Sequence, residues 1–140
     1  MKIKNLLSAV LFLFFASCFA QNTIEVMSFN IRLGSVDDGE NHWNIRKDKV
    51  KDLINYYEAD FVGLQEAQKP QINYLLENNS LYSFLGKPRD DGENSEFSCI
   101  FYLKNKYKVL EQNTFWLSET PEKSTKSWDA AYPRIVTYAL

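Results

Sequence analysis

Ile24-Glu25-Val26-Met27-Ser28-Phe29-Asn30-Ile31-Arg32 and Ala59-Asp60-Phe61-Val62-Gly63-Leu64-Gln65-Glu66 decide the fold. In the first stretch Ile24, Val26 and Ser28 alternate with Glu25, Met27 and Phe29, the period of a strand with two distinct faces. The apolar run stops at Asn30 and Arg32, which are poor core-fillers but good ligands for a metal shell or a phosphate. The second stretch carries the short continuous apolar run Phe61, Val62 and Leu64, as expected of a central strand covered on both faces, and is read as ending in Gln65-Glu66. Between the two, Val50, Leu53, Ile54 and Tyr57 stand at i, i+3, i+4 and i+7, which predicts a helix over about Ile45–Glu58. Asn44 is the expected cap, with Trp43 packing back as a staple. Strand, helix and strand joined this way predict a crossover between parallel neighbours, which end on the same edge of the sheet. Asn30 and Glu66 should therefore meet, although 36 positions separate them.

Outward from this unit, Pro70 opens a second helix with Ile72, Leu75 and Leu76 on its apolar face, stopped by Asn78-Asn79. Leu81–Leu85 is a strand candidate and Lys87–Asn94 a turn-rich loop. Phe97–Leu103 is expected to form a hairpin with Tyr107–Glu111 through the turn Lys104-Asn105-Lys106. Thr114–Leu117 reads as a short strand, Glu119–Ala131 as a long polar loop, and Pro133–Leu140 as a strand. The order β, α, β, α and then mostly β predicts an α/β sandwich with a meander-like later part.

The chain has 140 residues, 15% of them aromatic, with only 5 Gly and 4 Pro, a composition that favours a folded domain over disorder. Its formal net charge is -2, so no bulk positive charge recommends it for nucleic acid, although a bound cation could supply one locally. Residues 1–20 read as a signal peptide. Lys2 and Lys4 form its charged start, Leu6–Phe15 its apolar centre, and Ser17-Cys18-Phe19-Ala20 a cleavage site before Gln21. The alternative is a lipoprotein anchored through Cys18. Both place the mature chain outside the cytoplasm; cleavage before Gln21 leaves residues 21–140 in the periplasm or the extracellular space. Cys99 then stands without a disulfide partner in this chain and is expected to be a buried small hydrophobe.

Glu66, a carboxylate at the end of an apolar strand, is either solvated at the rim or holds a cation. With the Asn30 amide oxygen it makes a sensible partial shell for Mg²⁺, which takes one or two carboxylates and keeps several waters. At these residues the chain resembles the endonuclease/exonuclease/phosphatase family, which includes pancreatic deoxyribonuclease, abasic-site endonucleases, sphingomyelinases and nocturnin-type phosphatases. The resemblance rests on Met27-Ser28-Phe29-Asn30-Ile31-Arg32 and Leu64-Gln65-Glu66. It continues through Glu96 ahead of Ile100-Phe101-Tyr102, Phe115-Trp116-Leu117-Ser118-Glu119-Thr120-Pro121 and Trp128-Asp129-Ala130-Ala131-Tyr132-Pro133-Arg134. These motifs, in this order, are similar to those of a bacterial exported branch and span nearly all of Ile24–Leu140.

The resemblance implies a four-layer sandwich of two mixed β-sheets flanked by helices, here limited to roughly its first half. It implies metal-assisted hydrolysis of a phosphodiester or phosphomonoester by a base-activated water, with Mg²⁺ or Mn²⁺ as the cofactor. Glu66 matches the metal-binding Glu, Asn30 the Asn that supports metal and phosphate, Glu96 the acid that orients a catalytic His, and Arg134 an Arg near the scissile phosphate. Trp43, Trp116 and Trp128 are expected to pack in the core or loops, and Asp129 to anchor its loop. The family's later motifs, a His after a strand, a Gly-Asp-x-Asn segment and a closing Ser-Asp-His, have no match. His42 is the sole His and lies outside the matched motifs. The expectation is a phosphoesterase whose catalytic set is incomplete in this chain, inactive by itself. Its substrate would be a nucleic acid, a sugar phosphate or a phospholipid head group, and no protein partner is evident. A half sandwich should leave one sheet face uncovered. The alternative is a non-enzymatic exported binding module on the same fold, with Asn30, Glu66 and Glu96 as residual polar positions.

Overall fold

Strand β1 (Val26–Asn30) lies parallel to β2 (Phe61–Gln68), with Val26 opposite Phe61 and Asn30 opposite Gln65. The computed structural model describes residues 23–140, so the leader and Cys18 lie outside the described residues. Helix α1 (Trp43–Tyr57) makes the crossover that a parallel pair requires. Helix α2 (Lys69–Glu77) follows β2 directly. Strands β3 (Tyr82–Leu85) and β4 (Glu96–Leu103) complete a mixed sheet in the order β1-β2-β4-β3, β4 running antiparallel to both neighbours. Strands β5 (Gln112–Trp116) and β6 (Ile135–Ala139) form a second, antiparallel sheet.

Alternation along the strands sorts the first sheet into two faces. Val62, Leu64, Cys99 and Phe101 are paired across β2 and β4 and buried in one core with Ile54 of α1 and with Ile72 and Leu75 of α2. Burial pushes the Cys99 thiol up to about 12, which keeps it inert as expected of a buried small hydrophobe. Phe61, Gly63, Ile100 and Tyr102 face the other way. With Val26, Tyr107, Val109, Ala139 and Leu140 they line an apolar cleft of about 460 Å³ between the sheets. The second sheet covers this face in part, leaving Val26 71% exposed.

The register of β2 contains one irregularity. Leu64 pairs with Cys99 and Ala67 with Phe97, so three steps on β2 match two on β4. This is a β-bulge at Gln65-Glu66, with Glu66 in the left-handed region at φ 55. A regular strand would send residues 62, 64 and 66 to the same buried face. The extra residue passes that position to Ala67, which is fully buried, and leaves the Glu66 carboxylate at the rim. The strand therefore continues to Gln68 instead of ending where the polar dipeptide suggests.

Several other expectations are corrected. Helix α1 starts at Trp43, and the cap is His42, whose Nδ1 accepts a hydrogen bond from the Asn44 amide at 3.2 Å. Its buried residues are Trp43, Val50 and Ile54, while Leu53 and Tyr57 are exposed. Tyr107–Glu111 forms no strand. Both edges of β4 are already taken by β2 and β3, so a hairpin partner has nowhere to pair. Lys106 instead pairs with the buried Asp60 carboxylate, which also accepts the Glu25 amide at 2.9 Å. Trp43 is buried as a packing residue, whereas Trp128 is 69% exposed.

Three outcomes follow for stability. Phe101→Ala empties a fully buried position and should cost about 3–5 kcal/mol in urea unfolding. The Lys106 ammonium and the Glu25 amide hold the Asp60 carboxyl below its usual value, so its contribution is present above the unfolded carboxyl pKa and is lost as pH falls through the folded one. The stability gap between wild type and Asp60→Asn should therefore narrow as the pH drops below about 4; a gap that stays constant with pH would count against this ion pair. At Glu66 the usual order of residues should invert. Glu66→Gly should be more stable than Glu66→Ala by about 1 kcal/mol, because only Gly occupies φ 55 without Cβ strain.

Candidate active site

The end of β1 and the bulge of β2 present a carboxamide and a carboxylate to one another. Asn30 Nδ2 donates to Glu66 Oε1 at 2.8 Å, and Asn30 Oδ1 accepts the Arg32 amide at 2.9 Å. Glu66 Oε2 accepts the Leu33 amide at 3.3 Å and lies 3.9 Å from Arg32 Nη1. The carboxylate is thus oriented from two sides while its side chain remains 31% exposed. Donors to Oε1 and Oε2 occupy only part of its acceptor capacity. Among the described residues no group of three or more His, Cys, Asp or Glu is gathered to hold a metal.

Arg32 sits at φ 60, a second left-handed position. Its guanidinium grips Asp38 through Nε at 2.9 Å and Nη2 at 3.2 Å, which raises the Arg32 pKa and lowers that of Asp38. Asp38 belongs to the acidic loop before α1. It fixes the Arg32 side chain beside Glu66 and offsets part of its charge.

Behind this rim lie two buried carboxamides that composition and spacing did not flag. Gln71 Oε1 accepts the amides of Gly34 at 3.2 Å and Gln68 at 2.9 Å, and Gln71 Nε2 donates to the Arg32 carbonyl at 2.9 Å. Gln68 Oε1 accepts the Ser35 amide at 2.9 Å, and Gln68 Nε2 donates to Ser35 Oγ at 3.0 Å and the Asn94 carbonyl at 2.7 Å. Gln68 caps α2 and forms a capping box with Gln71. Gln-x-x-Gln directly ahead of Ile72 and Leu75 is the signal that could have marked them.

Glu96 opens β4 opposite Gln68, and its carboxylate is paired with the Arg89 guanidinium. The Arg89 carbonyl in turn accepts Trp116 Nε1 and Ser124 Oγ, each at 2.8 Å, and its guanidinium lies over the Tyr132 ring. These contacts tie the Glu119–Ala131 loop to the Glu96 end of the first sheet. The loop is held in part by the hydroxyl hydrogen bonds of Ser118, just ahead of it, and of Thr120, Thr125 and Ser127 within it. Trp128 and Asp129 are consecutive left-handed residues at φ 53 and 63. Asp129 is exposed, and among the described residues its carboxylate makes no hydrogen bond that would anchor the loop. Arg134 is exposed just ahead of β6, and its carbonyl accepts the Leu117 amide at 2.8 Å. No hydrogen bond or ion pair joins Arg134 to Asn30 or Glu66 among the described residues. His42 is engaged in capping α1.

Comparison with solved structures finds the same fold elsewhere. An endonuclease/exonuclease/phosphatase from Bacteroides vulgatus is 40% identical, with a TM-score of 0.80 over 85% of this chain and 46% of its own. A mannosyl-6-phosphatase from Bacteroides thetaiotaomicron is 34% identical, with a TM-score of 0.78 over 84% of this chain and 45% of its own. A second protein from that organism, described as an endonuclease/exonuclease/phosphatase family member, is 34% identical, with a TM-score of 0.77 over 83% of this chain and 42% of its own. The chain therefore spans less than half the length of these relatives. Comparison with curated proteins gives no match. The sequence model of the endonuclease/exonuclease/phosphatase family matches residues 27–126. Since that span covers most of the chain, with most of β1, the crossover helix and the bulged strand that aims Glu66 at Asn30, the chain belongs to the endonuclease/exonuclease/phosphatase family.

Proposed function

We propose that residues 21–140 form the N-terminal portion of a metal-dependent phosphoesterase and carry one side of its active site. The observation that supports this most is the Asn30–Glu66 pair, set at 2.8 Å by a strained bulge in β2 where its parallel pairing with β1 ends. Strain of this kind persists where the surrounding structure over-determines it, and it clusters at functional sites.

The donor set fits a hard divalent cation. Glu66 is a single oriented carboxylate with free acceptor capacity at the rim, which suits Mg²⁺, or Mn²⁺ in its place, with most other ligands being water. Asn30 turns its Nδ2 toward Glu66, so its first task is to orient the carboxylate, with one Oδ1 lone pair left over. The cation, when bound, offsets negative charge on the phosphoryl and leaving oxygens. Arg32, braced on Asp38, places a guanidinium beside that position, a geometry suited to a phosphate oxygen. Arg134 is exposed at the surface, where its motif implies a role beside a phosphate, and Glu96 is held in place by Arg89.

The general base must come from outside these residues. The sole His serves as a helix cap, and the chain covers less than half of its relatives' length. On this reading the chain is inactive by itself. Among phosphate esters, a sugar phosphate is favoured by the 34% identity to a mannosyl-6-phosphatase and by a net charge of -2 that offers a polyanion no bulk attraction. Export follows from the leader reading. Among the described residues no helix is long and apolar enough to cross a membrane.

The test is hydrolysis of sugar phosphates and phosphodiesters with Mg²⁺. The purified chain should match its Glu66→Ala control. A protein extended to the length of its relatives should turn over and lose on the order of 100-fold or more on Glu66→Ala. Turnover by the chain above its control would overturn the inactivity, and an extended protein indifferent to Glu66→Ala would overturn the role of Glu66.

A further inference from the structure

One peptide plane connects the buried carboxamides to the candidate metal ligand. The Arg32 carbonyl and the Leu33 amide belong to the same planar unit and point in opposite directions. On one side, the carbonyl accepts Gln71 Nε2 at 2.9 Å and Arg46 Nη2 at 3.1 Å. On the other, the Leu33 N–H donates to Glu66 Oε2 at 3.3 Å. Fixing the carbonyl with two donors fixes the direction of the N–H. The plane needs such fixing, because Arg32 occupies a left-handed conformation that a non-glycine residue adopts only under constraint.

We propose that Gln71 is a positioning residue for Glu66, acting through the Arg32–Leu33 peptide plane with Arg46 as the second pin. Gln71 is 1% exposed and is anchored by its role in the capping box of α2, so the plane is referred to the body of the fold and not to a mobile loop. Its third contact closes the loop from the far side, since Oε1 also accepts the Gly34 amide. Packing there is tight: a Cβ on Gly34 would lie 2.9 Å from Gln71 Cδ. The absence of a side chain at Gly34 is what lets Gln71 reach the carbonyl. Outer partners of this kind typically change metal affinity 10–100-fold when removed.

The inference rests on the metal-site reading for its consequence, but its geometry can be tested apart from it. In the full chain, Gln71→Met keeps the side-chain volume and removes all three hydrogen bonds, and Gly34→Ala displaces Gln71 without altering it. Leu75→Ala, buried on the same helix, controls for lost stability. The readouts are the Leu33 amide resonance, assigned by its response to Glu66→Gln, and Mn²⁺ affinity by calorimetry. Both Gln71→Met and Gly34→Ala should shift the Leu33 amide toward the position seen in Glu66→Gln and weaken Mn²⁺ binding at least 10-fold. Leu75→Ala should do neither at an equal loss of melting temperature. An unmoved Leu33 amide in Gln71→Met, or the same changes in Leu75→Ala, would overturn the proposal. If wild type binds no Mn²⁺ while the amide responds as described, the metal reading fails and the positioning role stands.

Discussion

Everything at the candidate site depends on the one extra residue in β2. The strand must keep Leu64 and Ala67 in the helix-side core, and both are fully buried. An unbroken period of two would put Glu66 there instead, where an ionised carboxylate would need a full set of partners. The bulge resolves this conflict at the cost of a left-handed glutamate. Its hydrogen bonds to Asn30 and Leu33 come from β1 and the segment that follows it, so the parallel pairing and the bulge support each other.

The support extends inward through uncharged groups. Gln68 and Gln71 are almost completely buried, and their amides satisfy the backbone of Arg32, Gly34 and Ser35, which belongs to no strand or helix. A loop that leaves secondary structure must find hydrogen-bond partners elsewhere, and carboxamides supply both donor and acceptor from one side chain. Charge is kept at the rim, where Arg32 and Asp38 remain partly solvated.

Much of this was legible in the residues. Alternation in Val26–Asn30, the apolar run from Phe61 to Leu64 and the helical spacing between them announce a parallel pair, and from that the meeting of Asn30 with Glu66. Burial of Cys99 was legible as well, because it sits inside an apolar strand. The strand end was misjudged at Gln65-Glu66 because a bulge and a terminus look alike when polar residues interrupt an apolar run. The hairpin at Tyr107–Glu111 failed for a different reason: local turn chemistry says nothing about whether a strand's edge is still vacant. Trp128 shows the same limit, since an aromatic residue expected to pack is 69% exposed beside a second left-handed residue.

The amino-acid sequence by itself determined the opening order of strand, helix, strand and helix, the crossover and the residues delivered to the sheet edge, because these follow from local periodicity and from the few ways a parallel pair can be joined. Only the tertiary structure decided which way Glu66 points, which carboxamides brace it and that Glu96 is held by Arg89. Those outcomes depend on register and on competition for buried space, which are settled between segments distant in the chain and leave no mark on the pattern within any one of them.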